Sequence, residues 1–414
     1  MTVSGLFDAM NQKHFKWFML ALLLIAGCNF FYGLNQQPVN DWDEARHGIS
    51  AFEMNTNHNY IINTYQGRPD YWNLKPPLGL WLIALSYKIF GNTAFSLRFP
   101  SALASFLTVL LVALIALKLY NRRVAFLSGL ILSTSFWFIF QHSGRTGDFD
   151  AGMAFLVTFS VFLLIYSESN PWLFSLSGLS IALGFLLKSF AAVQILGIMI
   201  SYLIFTKSYR NLKLKHYVLA GTLFVLPVLG WALLRFSQDR WQFLGQMLSY
   251  DLLQRGTTPL EGHRENLLYF VYFLLWGPFP WSLFLIILPF FQKHYGKFPK
   301  SLIILAWIGF PLIMFSVAQT KCFWYINPLY PAMAVWIGGM VDHFLNSSFS
   351  KKKWVMYTFV IFFLLAECRN ILFIQDLKRL YVEQQKVTVN PHSAMLSQSE
   401  LFRLKVLQEE KNNR

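Results

Sequence analysis

Long uninterrupted apolar runs recur along the chain, at about residues 17–34, 99–117, 124–141, 151–166, 172–187, 190–206, 217–234, 267–291, 301–318, 322–341 and 354–372. A helix crossing the hydrocarbon layer needs roughly 20 apolar residues, and these runs come close to or reach that length. They are continuous rather than alternating, which excludes a membrane β-barrel. The pattern predicts an all-α polytopic membrane protein with about 11 transmembrane helices. The first run, Trp17–Leu34, is not read as a cleaved signal, because it holds Asn29 and no small-x-small site follows. Another apolar stretch, Leu78–Phe90, has only 13 residues, follows Pro76-Pro77 and contains Lys88. It is too short to span and is predicted as a helix lying in, or re-entering from, the interface. Asp41–Met54 is also helical in character. Its Ala45, Ile49 and Phe52 fall near one face, with Asp43, Glu44, Arg46 and His47 toward a polar edge. Juxtamembrane helices are thus expected in the long loop at about 35–98. The membrane domain covers 1–372, a polar C-terminal tail covers 373–414, and no large soluble domain is expected.

Composition agrees: 55% of residues are apolar, 13% are charged, and there are 42 Phe. The formal net charge of +15 suggests nucleic acid only until its distribution is examined. With the N-terminus inside, the inner segments hold 15 Lys/Arg against 3 Asp/Glu, and the outer segments between helices hold 12 against 11. That is the positive-inside pattern. Counting Leu78–Phe90 as a span would invert every later loop and put the basic segment 207–215 outside. The charge therefore encodes topology. Basic inner loops suit anionic membrane lipids, and no nucleic-acid partner is expected. Cys28, Cys322 and Cys368 match no metal or redox spacing.

This topology gathers the chemistry on the outer face. Asp43 and Glu44 open a helix whose positive end suits them, so they read either as a charged cap beside Arg46 or as a general base. Lys75, before Pro76-Pro77, either snorkels to headgroups or grips a phosphate. Arg145-Thr-Gly-Asp-Phe-Asp places Asp148 and Asp150 two apart at a helix start. One acid can cap the helix; the second has no capping duty, and an Asp-x-Asp pair can also hold a divalent metal. No cofactor is required by the pattern, and a divalent metal is left open. Arg255, His263 and Arg264 sit among aromatics in the loop 235–265 and read as headgroup contacts or as an anion clamp. Lys321, Trp324, Tyr325, Pro328 and Pro331 open the tenth run, where prolines are tolerated if a cavity is lined. Lys188, at a helix end, most simply snorkels.

Asp43-Glu44-x-Arg46, Lys75-Pro-Pro-Leu-x-x-Trp81, Arg98-Phe-Pro-Ser-Ala, Gly144-Arg-Thr-Gly-Asp-Phe-Asp150, Gly184-Phe-Leu-Leu-Lys188, Pro280-Trp-Ser and Thr320-Lys-x-x-x-Tyr325-x-x-Pro328 occur in this order. This ordered set resembles the GT-C class of integral-membrane glycosyltransferases, most of all bacterial protein O-mannosyltransferases and lipid A aminoarabinose transferases. The resemblance covers roughly residues 15–340. It implies a monosaccharide donor on a polyprenyl phosphate, a lipid or protein acceptor, and an active site on the periplasmic or outer face of a bacterial inner membrane, in the loop 35–98. By similarity, Asp43 is the essential carboxylate with Glu44 beside it, and Asp148 or Asp150 is the acid after the third span. Lys75, Tyr325 and a loop arginine, Arg255 with Arg264 near it, would contact the donor phosphate. Arg46, His263 and Lys321 would line the substrate site. His47 replaces the aromatic usual after Arg46.

Two rivals remain. A ligase or polymerase of similar architecture would use a long diphosphate-linked glycan. A lipid-linked-sugar transporter would place polar groups near the bilayer midplane and show repeated halves, neither of which the sequence displays.

Overall fold

A computed structural model describes residues 14–260, 262–287, 301–346, 352–386 and 400–402. The helices are α1 Phe15–Phe31, α2 Asp43–Asn57, α3 Leu78–Phe90, α4 Ala94–Leu119, α5 Arg122–Ser133, α6 Phe136–Phe140, α7 Asp150–Ser167, α8 Trp172–Lys188, α9 Val193–Thr206, α10 Leu214–Asp239, α11 Gln242–Gln246, α12 Tyr269–Trp276, α13 Leu283–Ile287, α14 Ser301–Val317, α15 Tyr330–Asn346 and α16 Lys352–Lys386. A two-stranded antiparallel ribbon, Thr64–Tyr65 with Arg68–Pro69, is the sole sheet among the described residues.

The protein is a helical membrane fold. Ala94–Leu119, Asp150–Ser167, Trp172–Thr206, Leu214–Asp239 and Lys353–Glu383 are each long and apolar enough to cross a membrane. The apolar runs all fall on helix, although the end of the run 267–291 lies outside the described residues. Several runs are interrupted. The run 124–141 breaks between α5 and α6, where Thr134 and Ser135 hydroxyls donate back to the carbonyls of Leu130 and Ile131. The stretch 172–206 breaks at a 3₁₀ turn, Ser189–Ala192, where Ser189 has a φ of +52°. The segment 35–98 contains both expected helices. α3 keeps Leu82, Leu85 and Ile89 exposed on the side away from α2 and α4, as suits a helix lying against lipid. α16 continues beyond the expected end at 372, so the tail begins as helix; 387–399 and 403–414 lie outside the described residues.

The core is a contiguous apolar body running through α1, α4, α5, α7 and α15. α8 packs on both α7 and α10, while α10 leaves Val218, Leu226 and Leu233 exposed on its outer side. Close approach of α8 to α10 depends on Gly178, where an added Cβ would lie 1.9 Å from the Ala220 carbonyl oxygen. Helices in lipid associate through such small residues, because apolar burial adds little when tails are as apolar as leucine.

Gly178→Ala is expected to push α8 from α10 and destabilise the protein by about 1–3 kcal/mol. A lowered Tm in detergent would register it. Gly221→Ala on α10, where a Cβ meets nothing within 4 Å, should leave Tm unchanged.

Candidate active site

Asp43 is the first residue of α2, delivered by Trp42, which holds a φ of +66°. That region is unfavourable for a bulky residue, so the surrounding structure must impose it. Trp42 packs against Trp72, with ring centroids 6.0 Å apart. Asp70 organises the segment that follows. It receives two hydrogen bonds from Arg46, at 2.9 and 2.8 Å, and two from the backbone N–H groups of Trp72 and Asn73, at 2.9 and 3.1 Å. This clamp brings Lys75 Nζ to 4.0 Å from Asp43 Oδ1. The Lys75 ammonium holds the Asp43 carboxyl below its ordinary range, outweighing burial.

The second wall comes from the 141–150 segment. His142 Nδ1 lies 3.2 Å from Asp148 Oδ2, with its ring stacked on Trp324 at a centroid distance of 4.0 Å. Burial disfavours the imidazolium, yet the Asp148 carboxylate outweighs it and pushes His142 up to about 9. Burial likewise works against ionisation of Asp148, and His142 overcomes it, holding Asp148 below the usual carboxylate range. Asp150, at the start of α7, receives a 2.5 Å hydrogen bond from Lys188 Nζ. Lys188 therefore does not snorkel to lipid; it turns into the protein to neutralise Asp150.

The third wall combines a π-helical turn, Met247–Gln254, with the 3₁₀ segment Phe323–Leu329. Arg255 Nη1 donates to the Tyr325 hydroxyl at 2.9 Å, and Arg255 Nε donates to Asp251 at 3.0 Å. Burial pushes the Asp251 carboxyl upward, with Arg255 opposing it. The three walls enclose a cavity of about 250 Å³ lined by Asp43, Lys75, Asp148, Asp150, Arg255 and Tyr325 among others. Trp324 and Tyr325 both line it.

Five expected site residues do not line the cavity. Glu44, 1% exposed, points the other way and is ion-paired with Arg98 at 2.6 Å. A carboxylate so enclosed cannot meet a substrate, so its expected catalytic part gives way to a structural one. Arg46 is held by Asp70 and covered by Tyr65, with its guanidinium carbon 4.2 Å from the ring centroid. Arg264 pairs with Thr320 in a β-bridge, and the Lys321 N–H donates to the His263 carbonyl at 3.2 Å. His263, Arg264 and Lys321 thereby brace Thr320, which does line the cavity.

A profile described as dolichyl-phosphate-mannose-protein mannosyltransferase matches residues 74–232. An uncharacterised protein of Aquifex aeolicus is 30% identical over 82% of this chain. The undecaprenyl phosphate-alpha-4-amino-4-deoxy-L-arabinose arabinosyl transferase of Aeromonas salmonicida is 30% identical over 78%. The chain spans 66% and 59% of the lengths of these two relatives. Among solved structures, ArnT from Cupriavidus metallidurans bound to undecaprenyl phosphate superposes with a TM-score of 0.76, at 16% identity, covering 95% of this chain and 85% of that one. The oligosaccharyltransferase of Archaeoglobus fulgidus gives 0.54 at 14% identity, covering 89% and 56%.

The chain is similar to aminoarabinose transferases over most of its length and shares the fold of ArnT.

Sequence reasoning missed two residues of consequence: Asp251, which lines the cavity, and His142, which holds Asp148 at its wall. His142 stands between Gln141 and Ser143 at the end of an apolar run, a signal too common to select it. Asp251 faces inward through the π-helical turn, whose periodicity no simple pattern reveals.

Glu44→Ala would leave Arg98 charged and enclosed without a counter-ion, and is expected to cost roughly 3–5 kcal/mol, read as loss of folded protein after detergent extraction. The His142–Asp148 pair makes a pH prediction. The folded imidazole titrates near 9, above its ordinary 6.5, so its stabilisation is complete below 6.5 and lost as pH rises through about 9. Wild-type Tm should therefore fall between pH 7 and 10 by more than that of Asp148→Asn; parallel curves would refute the pairing.

Proposed function

We propose that the chain transfers one sugar from a polyprenyl-phosphate carrier to a lipid or protein acceptor at the outer face of a bacterial inner membrane. The observation that carries the reading is the division of the cavity wall. Lys75, Lys188 and Arg255 supply positive charge, and Asp43 and Asp148 supply carboxylates. Undecaprenyl phosphate in the superposable ArnT structure supports a carrier of that kind. Eleven spans with the N-terminus inside would put the loop 35–98, Asp148, Arg255 and Tyr325 on one outer face, and their shared cavity supports that count. The membrane domain, 1–372, holds the whole cavity.

In this reading the sugar–oxygen bond to the carrier phosphate breaks as the acceptor oxygen bonds the anomeric carbon. Lys75, Arg255 and Tyr325 contact the leaving phosphate, with Arg255 oriented by Asp251. Cationic donors aimed at developing negative charge act strongly where water is excluded. Asp43, kept ionised by Lys75, takes the proton of an acceptor hydroxyl, or positions an acceptor that is already an ionised phosphate. Asp150 fixes Lys188, and Asp148 fixes His142. Glu44, Arg46, His263, Arg264 and Lys321 support the wall from behind.

Asp43, His142 and Asp148 each offer a ligand atom within 4.8 Å of the others, and Asp148 Oδ1 is buried without a hydrogen-bond partner. These three fit a divalent cation once His142 gives up its proton, and such an ion would act as an electrophile toward oxygen. The fold likeness to the archaeal oligosaccharyltransferase supports a second reading, transfer of a longer glycan.

Asp43→Asn should abolish transfer without loss of folding, and Arg255→Ala should lower turnover about a hundredfold. Mass spectrometry of envelope lipids and proteins with and without the gene is the test. A missing single-sugar mass supports the first reading, a missing long glycan the second, and wild-type transfer by Asp43→Asn removes Asp43 from the chemistry.

A further inference from the structure

His47 lines the cavity, yet no step above uses it. It lies one turn beyond Asp43 on α2, so the two side chains share a face. Its ring is held twice. Nδ1 lies 3.1 Å from the Gly147 carbonyl oxygen, and the ring stacks on Phe149 at a centroid distance of 4.0 Å. Phe149 has no room to yield, because its ring presses on Gly79, where a Cβ would lie 2.3 Å away. A carbonyl can only accept, so Nδ1 carries the hydrogen and Nε2 presents a lone pair. That Nε2 is buried, 1% of the residue being exposed, and has no hydrogen-bond partner. Burial, with Lys75 nearby, keeps the imidazole neutral by pushing it down to about 4.

The neighbouring acceptor is also unsatisfied: Asp148 Oδ1 is buried without a partner. One side of the cavity thus carries Asp43, Asp148 and His47 as hydrogen-bond acceptors, with Lys75 beside Asp43. Leaving a buried acceptor unpaired is unfavourable, so an arrangement with two of them suits a ligand that brings donors.

We infer that His47 is a specificity-determining residue, whose Nε2 accepts a hydrogen bond from a hydroxyl or ammonium group of the substrate held between Asp43 and Asp148. The inference rests on the transferase reading. A histidine with a purely structural part would need the stack on Phe149 and the bond to Gly147, and neither calls for a lone pair at Nε2 aimed into the cavity. The donor group belongs either to the transferred sugar or to the acceptor, and the chemistry at Nε2 is the same for both.

The experiment compares His47→Phe and His47→Gln in full-length protein, with KM measured separately for the polyprenyl-phosphate sugar and for the acceptor, and Tm measured alongside. Phenylalanine keeps the stack and removes the lone pair together with the Nδ1–H bond to Gly147, a loss that Tm registers separately; glutamine returns an acceptor oxygen. The expected result is a fall in kcat/KM of about tenfold to a hundredfold for His47→Phe. The change should fall mainly in one KM, with a small fall in Tm from the lost Gly147 bond and most of the kinetic loss recovered in His47→Gln. A raised donor KM assigns the group to the sugar, and a raised acceptor KM assigns it to the acceptor. Equal kinetics for wild type and His47→Phe overturn the inference alone. So does rescue of His47→Phe by added Mn²⁺, which would make the residue a metal ligand. Failure of wild type to transfer from any polyprenyl-phosphate sugar overturns the transferase reading and this inference with it.

Discussion

The site depends on one enclosed carboxylate. Glu44 Oε1 accepts from Arg98 Nε at 2.6 Å and from the Gly147 N–H at 2.9 Å, while Oε2 accepts from the Asn40 N–H at 2.8 Å and from Arg98 Nη2 at 3.1 Å. Arg98 completes its coordination on the carbonyls of Leu34, Gln37 and Pro38. A single ion pair therefore ties the start of α2 to α4, to the segment after α1 and to the loop after α6. Every hydrogen-bonding position is filled, which is the condition under which a buried pair holds rather than weakens a structure. Its effect is directional. With Glu44 turned inward, Asp43 turns to the cavity; with Gly147 fixed, Asp148 follows.

The same division of labour recurs around the cavity. Arg46 holds Asp70 so that Lys75 arrives beside Asp43, and Asp251 orients Arg255 toward Tyr325. Each cation that faces the cavity is thus anchored by an acid. Gaps in regular helix supply the backbone freedom this needs. The turn at 189–192, the π-helical turn and the 3₁₀ segment before α15 all border the cavity. Irregular backbone at such depth is tolerable where it lines a cavity and its polar groups find partners there.

The motifs named the right segments more reliably than the right side chains. Asp43, Lys75, Asp148, Asp150, Arg255 and Tyr325 all reach the cavity, although they span nearly three hundred residues of sequence. Glu44 and Arg46 were indistinguishable from catalytic groups in the sequence, since a charged residue beside Asp43 gives no hint of which way it turns. Lys188 looked like an ordinary snorkelling lysine until α7 placed Asp150 against it. His142 and Asp251 carried no pattern at all.

Apolar run lengths settled the membrane class and the helical fold, because lipid imposes those constraints on any chain locally and along its length. Which charges pair and which remain available was decided only by the packing of α2, α4, α7 and the 141–150 loop. Ion pairing depends on separations of a few ångströms between residues a hundred positions apart, and no local pattern encodes such distances.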